Sequence, residues 1–155
     1  MQGDFDQCVY LLESGLLKAY YTTEQGKEAV KSFIQPGEVI GSLSAAFSGE
    51  GCSFSLVCLE TGFLIKIPFQ VIDEYGQKDH EIARAMVSLL LRLAMKKEKR
   101  EYEFLCLSAE ERYRLMKQTS PNLLNKVTQN DTARYLGITP VAMSRIKSRV
   151  REQTD

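Results

Sequence analysis

TQNDTARYLGITPVAMSRIKSRV, Thr128 to Val150, is the stretch whose local chemistry decides the fold. Thr128 is a strong helix N-cap, because its hydroxyl accepts from the otherwise orphaned amides of a first turn. Asp131 stands in that turn, where the helix dipole favours an anion. The helix ends after Leu136 at Gly137, a residue free to take the left-handed conformation that a tight turn requires. Thr139 caps a second helix, with Pro140 at its first position, where a missing N–H costs nothing. Ala133 is small where the two helices must cross closely. Leu136, Ile138, Met143 and Ile146 form one apolar side, and Val141, Ser144, Arg145, Ser148 and Arg149 form the other. The spacing is helix, short glycine turn, helix.

Such a pair is either an ordinary helical hairpin or a helix-turn-helix whose second helix enters a DNA major groove. Charge alone leaves the two even, but small Ala133, the turn glycine, the capped second helix and the net positive charge together favour the second. The chain's 20 basic and 20 acidic side chains cancel, yet residues 1–95 hold 7 basic and 12 acidic groups, and residues 96–155 hold 13 and 8. Between Lys126 and Arg151 six basic residues face Asp131 alone, a balance suited to a polyanion. The expected DNA-binding residues are Thr128, Gln129, Thr139, Pro140, Val141, Ser144, Arg145, Ser148 and Arg149. Arginine reaches guanine edges bidentately, while threonine, serine and lysine hold phosphates.

Upstream, Ser108-Ala-Glu-Glu111 is a capping box that starts another helix and places a domain boundary between Leu107 and Ser108. Before it, Asp79 can cap a long helix in which Ile82, Met86, Leu89 and Leu93 recur at 4-3-4 spacing. That spacing gathers them on one stripe, which packs either on the chain's own strands or on a twin across a two-fold axis. The dimer is the expected use. The following KKEKREYE, residues 96–103, reads as a solvated stretch.

The first half reads as strands. From Cys8 to Gly37, short apolar or alternating runs break at Ser14-Gly15, Glu24-Gln25-Gly26 and Pro36-Gly37, and FSLVCLETGFLIKIP turns near Glu60 to Gly62. Pro68 then opens a short helix, PFQVIDEYGQ, stopped near Gly76. The expected class is α+β: a β roll over residues 1–78, a long helix over 79–107 and an all-helical domain over 108–155.

No apolar run approaches the roughly 18 residues that span a bilayer, so no membrane association is expected. The start lacks a basic region followed by an apolar one, which points to the cytoplasm. Four cysteines, Cys8, Cys52, Cys58 and Cys106, show no C-x-x-C pair, and the one histidine is His80. No metal site is expected, and the thiols read as buried side chains. A metalloenzyme built on a β roll needs clustered histidines, so the chain is not expected to be an enzyme.

The order of β roll, long helix and helix-turn-helix resembles the CRP/FNR family of bacterial transcription regulators. VYLLESGLLKAYYTTEQGKE resembles the family's opening strands, QPGEVIGSLS the approach to its ligand loop and LSAEERYRLM the start of its DNA-binding domain. VTQND, RYLGIT and AMSRIKSRV resemble the motifs of the helix-turn-helix itself. The resemblance implies a cupin-like, cyclic-nucleotide-binding-like roll, a dimerising helix and a winged helix. It implies double-stranded DNA and a second copy of the chain as partners, with RNA polymerase a further candidate. Family members carry further residues before the point matching Met1 and a β-hairpin wing after the recognition helix; here the chain stops at REQTD. In cAMP-responsive members, an arginine and a glutamate read bases where Pro140 and Val141 stand, and only Arg145 matches a base-reading arginine. A different operator is expected.

GEVIGSLSAAFSGEGCS, Gly37 to Ser53, resembles the family's effector loop. It holds four glycines and no lysine, arginine or histidine. The resemblance places the effector pocket at Gly41, Ser42, Leu43, Cys52 and Ser53, with Met95 and Lys96 on the long helix near a base. Ser42 stands where cAMP-binding relatives hold the ribose with glutamate, and Cys52 where they hold the cyclic phosphate with arginine. A phosphate buried without its cation is heavily penalised, so cAMP is not expected to bind. Either another small-molecule effector binds or the loop is structural.

Overall fold

The computed structural model describes residues 1–152. Six strands form two three-stranded antiparallel sheets. In one, β1 (Cys8–Leu12) lies between β4 (Val39–Ile40) and β6 (Leu64–Pro68); in the other, β2 (Leu16–Thr22) lies between β3 (Glu28–Ile34) and β5 (Ser55–Glu60). The turn residues named above fall between these strands, except Glu60, which is the last residue of β5. Leu12, Leu17, Ala19, Ile34, Ile40 and Phe54 make the core of the roll.

The turns that leave β1 and β5 press together. A Cβ on Gly62 would stand 1.8 Å from the Ser14 carbonyl oxygen, and one on Gly15 would stand 2.6 Å from that of Glu60. Side chains are excluded from both positions, which accounts for two of the turn glycines.

The loop after β4 contains a helix, α1 (Leu43–Ser48), capped by Ser42 and ended by Gly49. The next helix, α2 (Phe69–Lys78), departs from the expectation at both ends. Pro68 belongs to β6, where it pairs with Cys8, so helical backbone begins one residue later. The helix also continues through Gly76. It stops at Asp79, whose backbone is extended and whose carboxylate accepts from the amides of Glu81 and Ile82. Asp79 thus ends one helix and caps the next, α3 (His80–Cys106).

Four further helices follow: α4 (Ala109–Thr119), α5 (Pro121–Lys126), α6 (Gln129–Leu136) and α7 (Pro140–Glu152). The chain divides into two compact units, one up to Leu90 and one from Leu91 onward, so α3 is shared between them. Tyr113, Ala133, Leu136, Met143, Ile146 and Val150 form the core of the second unit.

α3 carries apolar side chains on more than one side. Ile82, Met86, Leu89 and Leu93 are all partly buried within the single chain, whereas Val87, Leu90, Leu91 and Met95 are exposed. Leu89 and Leu91 stand roughly 200° apart around a helix. Val87, Leu91 and Met95 lie on the side away from the 4-3-4 stripe, and Leu90 lies on its flank. No described helix is long and apolar enough to cross a membrane.

Candidate functional site

The second unit is assembled by its caps. Ser108 and Glu111 complete the capping box: Ser108 N–H donates to the Glu111 carboxylate at 2.7 Å, and Glu111 N–H donates to the Ser108 hydroxyl at 3.3 Å. The Thr128 hydroxyl accepts from Asp131 N–H at 3.0 Å and donates to the Asp131 carboxylate at 2.8 Å. Gly137 closes α6 at φ 70°, which lets Ile138 N–H reach back to the Ala133 carbonyl at 3.0 Å. Thr139 then accepts from Ala142 N–H at 3.2 Å and opens α7. Ala133 is fully buried, as a close crossing of helices demands.

Burial on α7 is one-sided. Met143, Ile146 and Val150 are buried, while Pro140, Val141, Ser144, Arg145, Ser148 and Arg149 are exposed. Thr128, Gln129 and Thr139 are exposed as well, so all nine expected DNA-binding residues lie at the surface. Arg145 has no hydrogen-bond or ion-pair partner among the described residues. Arg149, one turn on, is engaged: its Nε donates to Glu110 at 2.9 Å. The far end of the tail, from Gln153 to Asp155, lies outside the described residues.

Two half-buried arginines, neither singled out in the sequence, hold this module to the end of α3. Arg112 donates to the carbonyls of Leu107 at 2.6 Å and Leu136 at 3.0 Å. Arg100 donates to the Tyr135 carbonyl at 3.0 Å and lies over the Tyr135 ring at 4.0 Å. The guanidiniums of Arg100 and Arg112 both lie over the Phe104 ring, 4.7 and 4.6 Å from its centroid. Stacked cations of this kind gain from the ring quadrupole when shielded from water. The signal that could have found them is a run of arginines and aromatics at helix ends, but their carbonyl partners on α6, Leu136 and Tyr135, are 24 and 35 residues away.

In the first unit, a cavity of about 540 Å³ opens on the roll. Gly41, Ser42 and Cys52 line it together with Asp4, Asp6, Tyr10, Phe54 and Lys66. Leu43 and Ser53 are not among its walls: Leu43 is largely exposed, and Ser53 is turned to Ser42.

Ser42 is buried, and its hydroxyl accepts from the amides of Ser53 at 3.1 Å and Ala45 at 3.4 Å. The Cys52 amide donates to the Asp4 carbonyl at 2.8 Å. The amides of Ala45, Cys52 and Ser53 are therefore already engaged by acceptors of the chain itself. Burial pushes the Asp6 carboxyl up, but hydrogen bonds from Tyr10 and Cys8, with the Lys66 charge nearby, hold it below the ordinary carboxylate range. Burial and the neighbouring Asp6 push the Cys8 thiol up, which disfavours a thiolate there. Among the described residues, no group of three His, Cys, Asp or Glu side chains is placed to hold a metal ion, and His80 is exposed at the start of α3.

Residues 1–79 match the family described as "Cyclic nucleotide-binding domain". Along 97% of its length the chain is 28% identical to the regulatory protein HlyX of Actinobacillus pleuropneumoniae, covering 66% of that protein. It is 30% identical to the fumarate and nitrate reduction regulatory protein of Salmonella typhi, again over 97% of the chain, covering 64% of that protein. The chain thus spans somewhat under two thirds of the length of these curated relatives. Among solved structures it resembles FixK2 from Bradyrhizobium japonicum, with a TM-score of 0.77 at 18% identity over 99% of this chain and 80% of that one. CLP from Xanthomonas campestris, described as a c-di-GMP responsive global regulator, matches with a TM-score of 0.74 at 15% identity over 99% and 81%. These two likenesses concern the fold. A cyclic nucleotide-binding roll followed by a capped helix-turn-helix, with regulatory relatives along nearly the whole chain, makes this protein a member of the CRP/FNR family.

Proposed function

We propose that this chain is a cytoplasmic, homodimeric, DNA-binding transcription regulator without enzymatic activity. The observation that carries the reading is the one-sided α7: its inner face is buried, and its outer face presents Arg145 free of any partner among the described residues. A guanidinium so placed can meet both acceptors of a guanine edge, while Thr128, Thr139, Ser144 and Ser148 hold the backbone around it. The curated relatives are named as regulators, which supports the same conclusion. RNA polymerase is a further partner for a regulator of this type.

Selection from a library of random duplexes, followed by titration of the enriched sequence, tests the reading. Arg145→Ala should weaken binding to that sequence by about 1–3 kcal/mol and relax preference at one base pair. Enrichment of no sequence by the wild type would sink it.

We propose that the dimer contact uses the exposed α3 residues Val87, Leu90, Leu91 and Met95, a reading supported by the apolar surface that the chain itself leaves open there. The effector pocket is proposed not to take cAMP. Ser42 is occupied as a helix cap, Cys52 offers no charge, and the loop amides of Cys52 and Ser53 already have acceptors.

One observation favours a second reading, an effector-binding or protein-interaction module that does not touch DNA. Pro140 and Val141 are exposed at the start of α7, with Val141 62% accessible, where a base reader would place polar groups. The same selection separates the two.

A further inference from the structure

Glu110 stands in the first turn of α4, outside the helix-turn-helix and 39 residues before Arg149. Both of its carboxylate oxygens are used. One accepts from Arg114 Nη2 at 2.9 Å and the other from Arg149 Nε at 2.9 Å. Hydrogen bonds from Arg114 and Arg149 hold its carboxyl below the ordinary range, so it remains charged near neutrality. Arg149 is nonetheless 53% accessible. An arginine gripped by Nε still has the donors of its terminal nitrogens to offer, and the planar fork then points in one direction. Arg145, on the same exposed side of α7, has no such tether.

We infer that Glu110 is a positioning residue for DNA recognition, holding Arg149 so that its outer edge meets one backbone phosphate while base discrimination is left to Arg145. The inference rests on the DNA-binding reading above. Two physical consequences favour sequence over mere polyanion. A tethered guanidinium loses less rotamer freedom on binding than a free one, but only a duplex in the right register presents a phosphate oxygen to it. The Glu110 charge meanwhile repels a backbone that approaches in any other register, which lowers non-specific affinity. Glu110 thus converts one of the module's positive charges from a general attractor into a directional contact.

The experiment uses the full chain and a library of duplexes randomised over about two helical turns, roughly 20 base pairs. Wild type, Glu110→Gln and Arg149→Lys are each titrated against the enriched sequence and against a scrambled duplex. Glu110→Gln should select the same sequence as wild type but bind the scrambled duplex about three- to tenfold more tightly, narrowing the ratio between the two. Arg149→Lys keeps the charge but has no separate Nε to be held. It should narrow the ratio similarly while retaining the steep salt dependence of wild type. A part confined to helix packing would lower the melting temperature and leave both ratios at the wild-type value. That result, measured well below the melting temperature of each variant, would overturn the assignment. A wild type that enriches nothing would overturn the DNA-binding reading itself, a different outcome from a wild type that enriches and a Glu110→Gln that matches it.

Discussion

Arg112 donates to the Leu136 carbonyl at 3.0 Å and to the Leu107 carbonyl at 2.6 Å, so one guanidinium caps the chain after α3 and the last turn of α6 together. Helix ends leave carbonyls without intrahelical partners, and a cation there also opposes the helix dipole. Only a planar fork serves two such ends at once. Arg112→Lys should therefore destabilise the second unit nearly as much as Arg112→Ala, by about 2–3 kcal/mol for the lost charged hydrogen bonds. Urea unfolding followed by far-ultraviolet circular dichroism measures it; a lysine variant as stable as wild type would contradict the two-ended cap.

The Gly62 contact gives a test of the roll. A Cβ at that position cannot coexist with the Ser14 carbonyl 1.8 Å away. Gly62→Ala must displace one of the two turns, at a cost of roughly 2–4 kcal/mol in unfolding free energy. The neighbouring strands pair through Leu16 and Glu60, so hydrogen exchange should accelerate first at the ends of β2 and β5.

On α3, Leu91→Glu and Leu89→Glu should separate association from folding. Leu91 is exposed, so a carboxylate there leaves the monomer intact and shifts sedimentation towards the monomer. Leu89 is partly buried, so its replacement should lower stability by about 1–3 kcal/mol through the cost of burying a charge. A Leu91→Glu protein that sediments as the wild type does would move the dimer contact elsewhere.

Cyclic AMP should give no saturable heat in isothermal titration at micromolar concentrations. The reason lies in donors and charge: the Ser42 hydroxyl is tied to Ser53 and Ala45, and Asp4 and Asp6 line the cavity against the single side-chain cation Lys66. A phosphate would enter beside carboxylates, with no buried cation to meet it. Micromolar binding would mean that the loop opens its internal hydrogen bonds to the ligand.

What could be read in the chain is local. The caps Asp79, Ser108, Thr128 and Thr139 and the turn at Gly137 are each set by residues within three or four positions, and each forms the hydrogen bonds that its side chain allows. The outer face of α7 follows from the helical period in the same way. Spacing alone does not choose a partner for α3, because that helix carries apolar side chains on two sides. Periodicity shows that Ile82, Met86, Leu89 and Leu93 share a face, and it is silent on whether a strand, a helix or solvent lies opposite.

The sequence by itself determined the order of elements, the caps that bound them and the charge of the second unit, since all three depend on near neighbours and composition. Only the tertiary structure decided which donors remain available. Ser42 is occupied as a cap, Arg149 is held by a glutamate 39 residues away, and Arg145 is left open. Hydrogen-bonding capacity is a property of each side chain, but its use is settled by whatever the fold brings within about 3 Å.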